Sequence, residues 1–217
     1  MENNINIPEA TFNKDEETSV PVMKDSDLSE IKTLGGLAAL FAIGSIIPYI
    51  GFLLSLASIV LFLIAFHKIS IFSGNKSIFY NIGLSYLISF VLGIGLVVFF
   101  VVALMDYIKD FSSNMYYLDE DYLYYLIETI KENLLTTIIS ILVFFYIITI
   151  TCAYLWKLSL DKTAVFFNDS TFKTAGILYI IGACTTILCG LGILVNIAGH
   201  IVLAIAFFSL KSNQINR

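Results

Sequence analysis

The chain has 217 residues, 58% of them hydrophobic and only 13% charged, with a mean hydropathy of +0.88. A soluble domain is about 25% charged, so this composition excludes an ordinary soluble fold and points to the lipid bilayer as solvent. The formal charge of −5 leaves no basic surface for nucleic acid.

Residues 1–29 are polar and acidic and hold two of the three prolines, Pro8 and Pro21. They lack the basic start and apolar core of a signal peptide. They read as a disordered acidic tail on the cytoplasmic side.

From Thr33 to Phe66 the chain carries no formal charge for 34 residues. One helix of that length would reach roughly 50 Å, against a hydrocarbon core of about 30 Å. Pro48 near its middle removes a backbone donor and disfavours helix at the preceding residue. The run therefore predicts a hairpin of helices at about 30–47 and 51–68, turning at Pro48 and Gly51. Asp27 or Ser29 is placed to cap its first helix.

Residues 77–105 predict a third helix of roughly 40 Å, longer than the membrane is thick. Its Gly83, Gly93 and Gly95, with Ser85 and Ser89, suit close packing against another helix. Residues 106–132 then form a loop holding six of the twelve tyrosines and seven acids (Asp106, Asp110, Asp119, Glu120, Asp121, Glu128, Glu132). Tyrosine favours the membrane–water boundary, so 119–132 reads as a helix at that interface. The acids Asp119, Glu120 and Asp121 read as a solvated face, because consecutive residues of a helix cannot converge on one ion.

A fourth helix follows at 133–156, with Trp156 at its boundary, and 157–173 reads as a second cytoplasmic loop. The last apolar run, 174–210, repeats the length problem of the first. It predicts helices at 173–188 and 191–210, turning at Gly190 and Gly192, with Thr171 placed to cap the fifth helix.

The sum is an all-α fold, a polytopic transmembrane bundle of six helices over 30–211. Charge placement agrees with it. Six spans put Lys14, Lys24, Lys32, Lys68, Lys76, Lys157, Lys162, Lys173, Lys211 and Arg217 on one side, and Lys109 and Lys131 on the other. That is ten against two, where four spans give seven against five. Cytoplasmic loops are enriched in Lys and Arg, so both termini belong in the cytoplasm.

A parallel internal repeat supports the same count. Residues 31–70 align with 172–211 at a constant offset of 141 without a gap, and twelve of the forty positions are identical. The matches include Lys32/Lys173, Gly35/Gly176, Gly51/Gly192 and Ala57/Ala198. The alignment makes the two hairpins a duplication, related by an axis along the membrane normal.

Chemistry is sparse. His200 lies near the middle of the last helix, with Asn196 four residues earlier on the same face. Together they are the candidate intramembrane polar site, and their aligned positions are Ser55 and Ile59. Cys152, Cys184 and Cys189 have no metal-ligand spacing and read as buried small hydrophobes. No nucleophile motif, phosphate loop or cofactor fingerprint occurs, so the reading is non-enzymatic and without cofactor or metal.

The stretches "LGGLAALFAIGSIIPYIGFLLSLASIVLFLIAF" and "AGILYIIGACTTILCGLGILVNIAGHIVLAIAFFSL" resemble a prokaryotic integral-membrane family catalogued as domain of unknown function 996. The resemblance implies coverage from about 30 to 210, and implies no activity, substrate or catalytic residue. The expectation is a cell-membrane scaffold or accessory subunit, acting on a membrane-protein partner or as a homo-oligomer in the lipid bilayer. The alternative is a small transporter or channel around His200 and Asn196.

Overall fold

The computed structural model describes residues 21–114, 120–187 and 190–211. It contains six helices: α1 (Asp25–Gly44), α2 (Gly51–Phe72), α3 (Lys76–Asn114), α4 (Glu120–Phe167), α5 (Ser170–Thr185) and α6 (Leu191–Ser209). The described residues include no strand. Each helix packs antiparallel on the next, and α6 packs back on α1, so the six close a ring.

The long apolar run does reverse. Residues 45–50 leave the helix, and the Gly51 amide then donates to the Ile47 carbonyl at 2.8 Å. Tyr49 takes φ 69° in this turn, and Gly190 takes φ 93° in the second one. Gly51 and Gly192 serve differently, through closeness of approach. A Cβ at Gly51 would overlap the Ser45 carbonyl, and one at Gly192 would overlap backbone atoms of Gly182 and Thr186.

Among the described residues, four segments are long and apolar enough to cross a membrane: Gly51–Phe72, Lys76–Val102, Leu135–Phe167 and Leu191–Ser209. The other two helices fall short for visible reasons. The first turns of α1 carry Asp25, Asp27, Glu30 and Lys32, and α5 has only 16 residues.

Several boundaries differ from the sequence reading. The first helix starts at Asp25, so the tail ends before 29; residues 1–20 lie outside the described residues. Lys24 takes the N-cap position of α1, and its amide donates to Asp27 Oδ2 at 3.1 Å. Asp169, not Thr171, caps α5, its Oδ1 accepting from the Thr171 amide at 2.9 Å. The expected loop 106–132 is helical in its described parts, with α3 running to Asn114 and α4 starting at Glu120. The acids at 119–121 and all six tyrosines of this stretch lie outside the described side chains.

The loop expected at 157–173 is helix as far as Phe167. Leu160, Ala164 and Phe167 bury one face of it at helical spacing. Its charges are held locally: Lys157 pairs with Asp161 one turn on, and Lys162 Nζ donates to Ser77 Oγ at 2.5 Å. The chain turns only at Asn168, in the left-handed region at φ 51°.

The core gathers at the end of the ring that holds the start of α1 and the end of α6. Ile31, Phe66, Ile69, Ile78, Phe167, Phe172 and Phe207 are fully enclosed there. Gly35 and Gly36 of α1 leave room for the rings of Phe207 and Phe208, which is how the ring closes. Lys68 pairs with Glu30 at 2.6 Å across α1 and α2 at the same end. The glycines of α3 do not seat a partner: a Cβ at Gly83, Gly93 or Gly95 would meet nothing within 4 Å. The small residues that do pack are Ser85 and Ser89, against Cys152.

Candidate functional site

The ring surrounds a cavity of about 350 Å³, and all six helices or their turns contribute to its wall. Three levels can be distinguished by position along the helices. Ala42 and Ser45 stand near the α1–α2 turn, with Thr149 of α4 and Ala183 of α5 facing them. Ser55, Ser58 and Ile59 of α2 and Asn196 of α6 line the middle. Phe62, Tyr86, Trp156, Tyr179 and His200 line the depth. Phe62 is eleven residues into α2, so the depth lies roughly 16 Å from the turn.

The floor is aromatic. Trp156 stands edge-on to Phe62 at 5.1 Å, to Phe66 at 5.7 Å and to Tyr86 at 5.9 Å, and tilts against Tyr179 at 5.4 Å. Edge-to-face pairs at such spacings are favourable beyond the area they bury. Trp156 is therefore the hub of four helices. Its bulk closes the cavity toward the packed end.

His200 and Asn196 both line this cavity. The Tyr179 hydroxyl lies 2.7 Å from His200 Nδ1. Gly199 beside it carries no Cβ that would crowd the Tyr179 ring, which sits 3.2 Å from where one would stand. Phe62 stacks on the imidazole at 6.4 Å. The Asn196 amide fills space that Gly182 leaves open on α5.

The remaining polar groups divide in two. Ser58 Oγ donates to the Ala38 carbonyl at 2.8 Å, and Thr149 Oγ1 to the Phe145 carbonyl at 2.9 Å, so these hydroxyls are already engaged. Among the described residues the Ser55 hydroxyl, the Tyr86 hydroxyl, the Asn196 amide and His200 Nε2 have no protein hydrogen-bond partner. Polar groups out of water normally find partners. Here they converge on one space, which makes them available to a molecule inside it.

Among the described residues, no Asp, Glu, Lys or Arg lines the wall. An ion would have to be desolvated there without a paired charge, which is costly. The wall suits an uncharged molecule that both donates and accepts hydrogen bonds, and a pocket of this volume is on the scale of a small ligand.

Sequence reasoning reached His200 and Asn196 but missed Tyr86, Trp156, Tyr179 and the serines of α2. Ser55 had one available signal, its alignment with Asn196. Tyr86 and Trp156 had none, because only the ring brings α3 and α4 to the centre.

Fold and cavity together define an all-helical, membrane-compatible ring around a neutral polar site. The chain belongs to the family described as "Protein of unknown function (DUF996)", whose model matches residues 54–201. That match runs from α2 into α6 and includes most of the cavity wall. The chain is also 32% identical over 190 residues to an uncharacterized protein of Methanocaldococcus jannaschii, covering 86% of this chain and 95% of that one. No solved structure matches the chain.

Proposed function

We propose that the protein crosses the cell membrane six times, with both termini cytoplasmic, and that its central cavity binds and passes a small uncharged polar solute. The observation that carries this reading is the convergence of Ser55, Tyr86, Asn196 and His200 on one cavity without protein partners. A purely structural scaffold gains nothing from leaving those groups unpaired at its centre.

The proposed duplication gives the cavity its place. At the offset of 141, Ala42 aligns with Ala183, Ser55 with Asn196 and Ile59 with His200, and all six line the cavity. The two turns also share a left-handed residue at aligned positions, Tyr49 and Gly190. A binding space on the axis between two parallel repeats follows the pattern of transporters whose halves rock about a fixed site. The short helices α1 and α5 complete their crossings with the turn residues and with Lys32 and Lys173 reaching to the interface.

A second reading keeps a scaffold role, and the lengths of α3 and α4 favour it. Their 39 and 48 residues reach roughly 60 and 70 Å, well beyond a hydrocarbon core of about 30 Å. Such a projection offers a surface to a membrane-protein partner. A detergent-purified protein that crosslinks to no partner and to no second copy counts against this role.

The solute reading is tested by stopped-flow swelling of liposomes in glycerol or urea. Protein-loaded vesicles swell faster than empty ones, and the gain is lost in Asn196→Leu and His200→Leu. Equal swelling with and without protein removes the reading.

A further inference from the structure

The central cavity has a neighbour. On the lipid side of the α4–α5 seam lies a groove of about 330 Å³ lined by Ile150, Thr151, Tyr154, Ile180 and Ala183. Ala183 lines both the groove and the central cavity. Its side chain is a single methyl, and it is 1% exposed. That methyl is enclosed where the two linings meet, so it separates the two spaces, and they join only if α4 and α5 part there. The stretch is framed along the seam: the Tyr146 hydroxyl donates to the Cys184 carbonyl at 3.2 Å on one side, and the Trp156 and Tyr179 rings meet at 5.4 Å on the other.

The two spaces differ in chemistry. The inner one offers unpaired hydrogen-bonding groups on Asn196, Tyr86 and His200, and the outer one is almost wholly apolar. Among the described residues, no Asp, Glu, Lys or Arg lines either. A freely water-soluble solute has no use for the outer groove. A molecule with an uncharged polar head and a hydrocarbon tail uses both, with the head's hydrogen bonds made inside and the tail left among lipid-facing side chains.

We infer that the cavity also takes the head of a membrane-dissolved neutral amphiphile of the long-chain alcohol class, which reaches it sideways between α4 and α5 past Ala183. This rests on the solute-binding reading above and adds the route and the tail.

The test uses the full chain in nanodiscs and two photoactivatable probes, a hexadecanol and a hexadecane, each with a diazirine at the same mid-chain carbon. Adducts are mapped by peptide mass spectrometry. The alcohol should label residues 150–154 and 180–183 about fivefold more than the hydrocarbon, as one added hydrogen bond would give. Asn196→Leu, which lies outside the groove, should bring alcohol labelling down to the hydrocarbon level. Ile180→Phe, which fills the groove alone and adds no second tryptophan, should abolish it while Trp156 stays reachable by aqueous acrylamide. Equal labelling by both probes means that the groove holds bulk lipid only, and overturns the inference. If acrylamide still reaches Trp156 in that case, the lateral route fails and the solute reading survives; if it does not, both fail.

Discussion

The Tyr179 hydroxyl sits 2.7 Å from His200 Nδ1, between neighbouring antiparallel helices. The contact engages Nδ1 and leaves Nε2 as the nitrogen available to the proposed solute. Hydrogen bonding at one ring nitrogen sets the role of the other. Tyr179→Phe keeps the ring in the aromatic floor and removes the hydroxyl. Solute binding, read by titration of Trp156 fluorescence, should weaken about fivefold, the loss of roughly one neutral hydrogen bond. His200→Leu should weaken it further, because it removes the acceptor and donor themselves. Unchanged binding in both variants means that the pair only packs.

The two turns make a paired stability prediction. Gly190→Ala forces a side chain into the left-handed region at φ 93° and should cost about 1 kcal/mol. Tyr49→Gly releases the same strain at φ 69° and, after the entropy cost of glycine, should gain about 0.5–1 kcal/mol. Gly51→Ala meets the Ser45 carbonyl and should lose about 1–3 kcal/mol. Thermal unfolding in detergent orders the three, and a harmless Gly51→Ala contradicts the close approach.

Two other glycines separate packing from composition. Gly35→Ala pushes into the Phe207 ring at the seam that closes the helix ring, and should destabilise by about 1–3 kcal/mol. Gly83→Ala meets open space, and should stabilise α3 by about 0.5–1 kcal/mol through helix propensity. Opposite signs are the expected result in the same melting assay.

Topology is tested by cysteine labelling in a variant whose three native cysteines are replaced by serine. Tyr49→Cys lies at the exposed apex of the first turn and should react with an impermeant maleimide on intact cells. Lys68→Cys should react only after permeabilisation. Reaction of both from the same side contradicts a hairpin that crosses twice.

What the sequence made legible follows from periodicity and length. An uncharged run too long for one crossing, interrupted by Pro48 and Gly51, is enough to place a hairpin. His200 and Asn196 were visible because polar residues stand out against an apolar helix. The end of α4 was not legible, since Lys157, Asp161 and Lys162 look like a loop until the Lys157–Asp161 pair and the bond to Ser77 are seen. The role of Trp156 as a hub was not legible for a similar reason. Indole favours an interface, which says nothing of the rings that meet it here, Phe62, Phe66, Tyr86 and Tyr179. Those four come from three other helices, and no spacing within one helix encodes their meeting.

Trp156 is the only tryptophan of the chain, and it lines the depth of the cavity. Quenching of its fluorescence by acrylamide, itself a small uncharged amide, therefore reads the central claim directly. An open polar cavity gives efficient quenching in the wild type, and Ser55→Phe, which fills the middle level, suppresses it. A tryptophan shielded from acrylamide in the wild type would mean that the centre of the ring is a packed core and not a binding site.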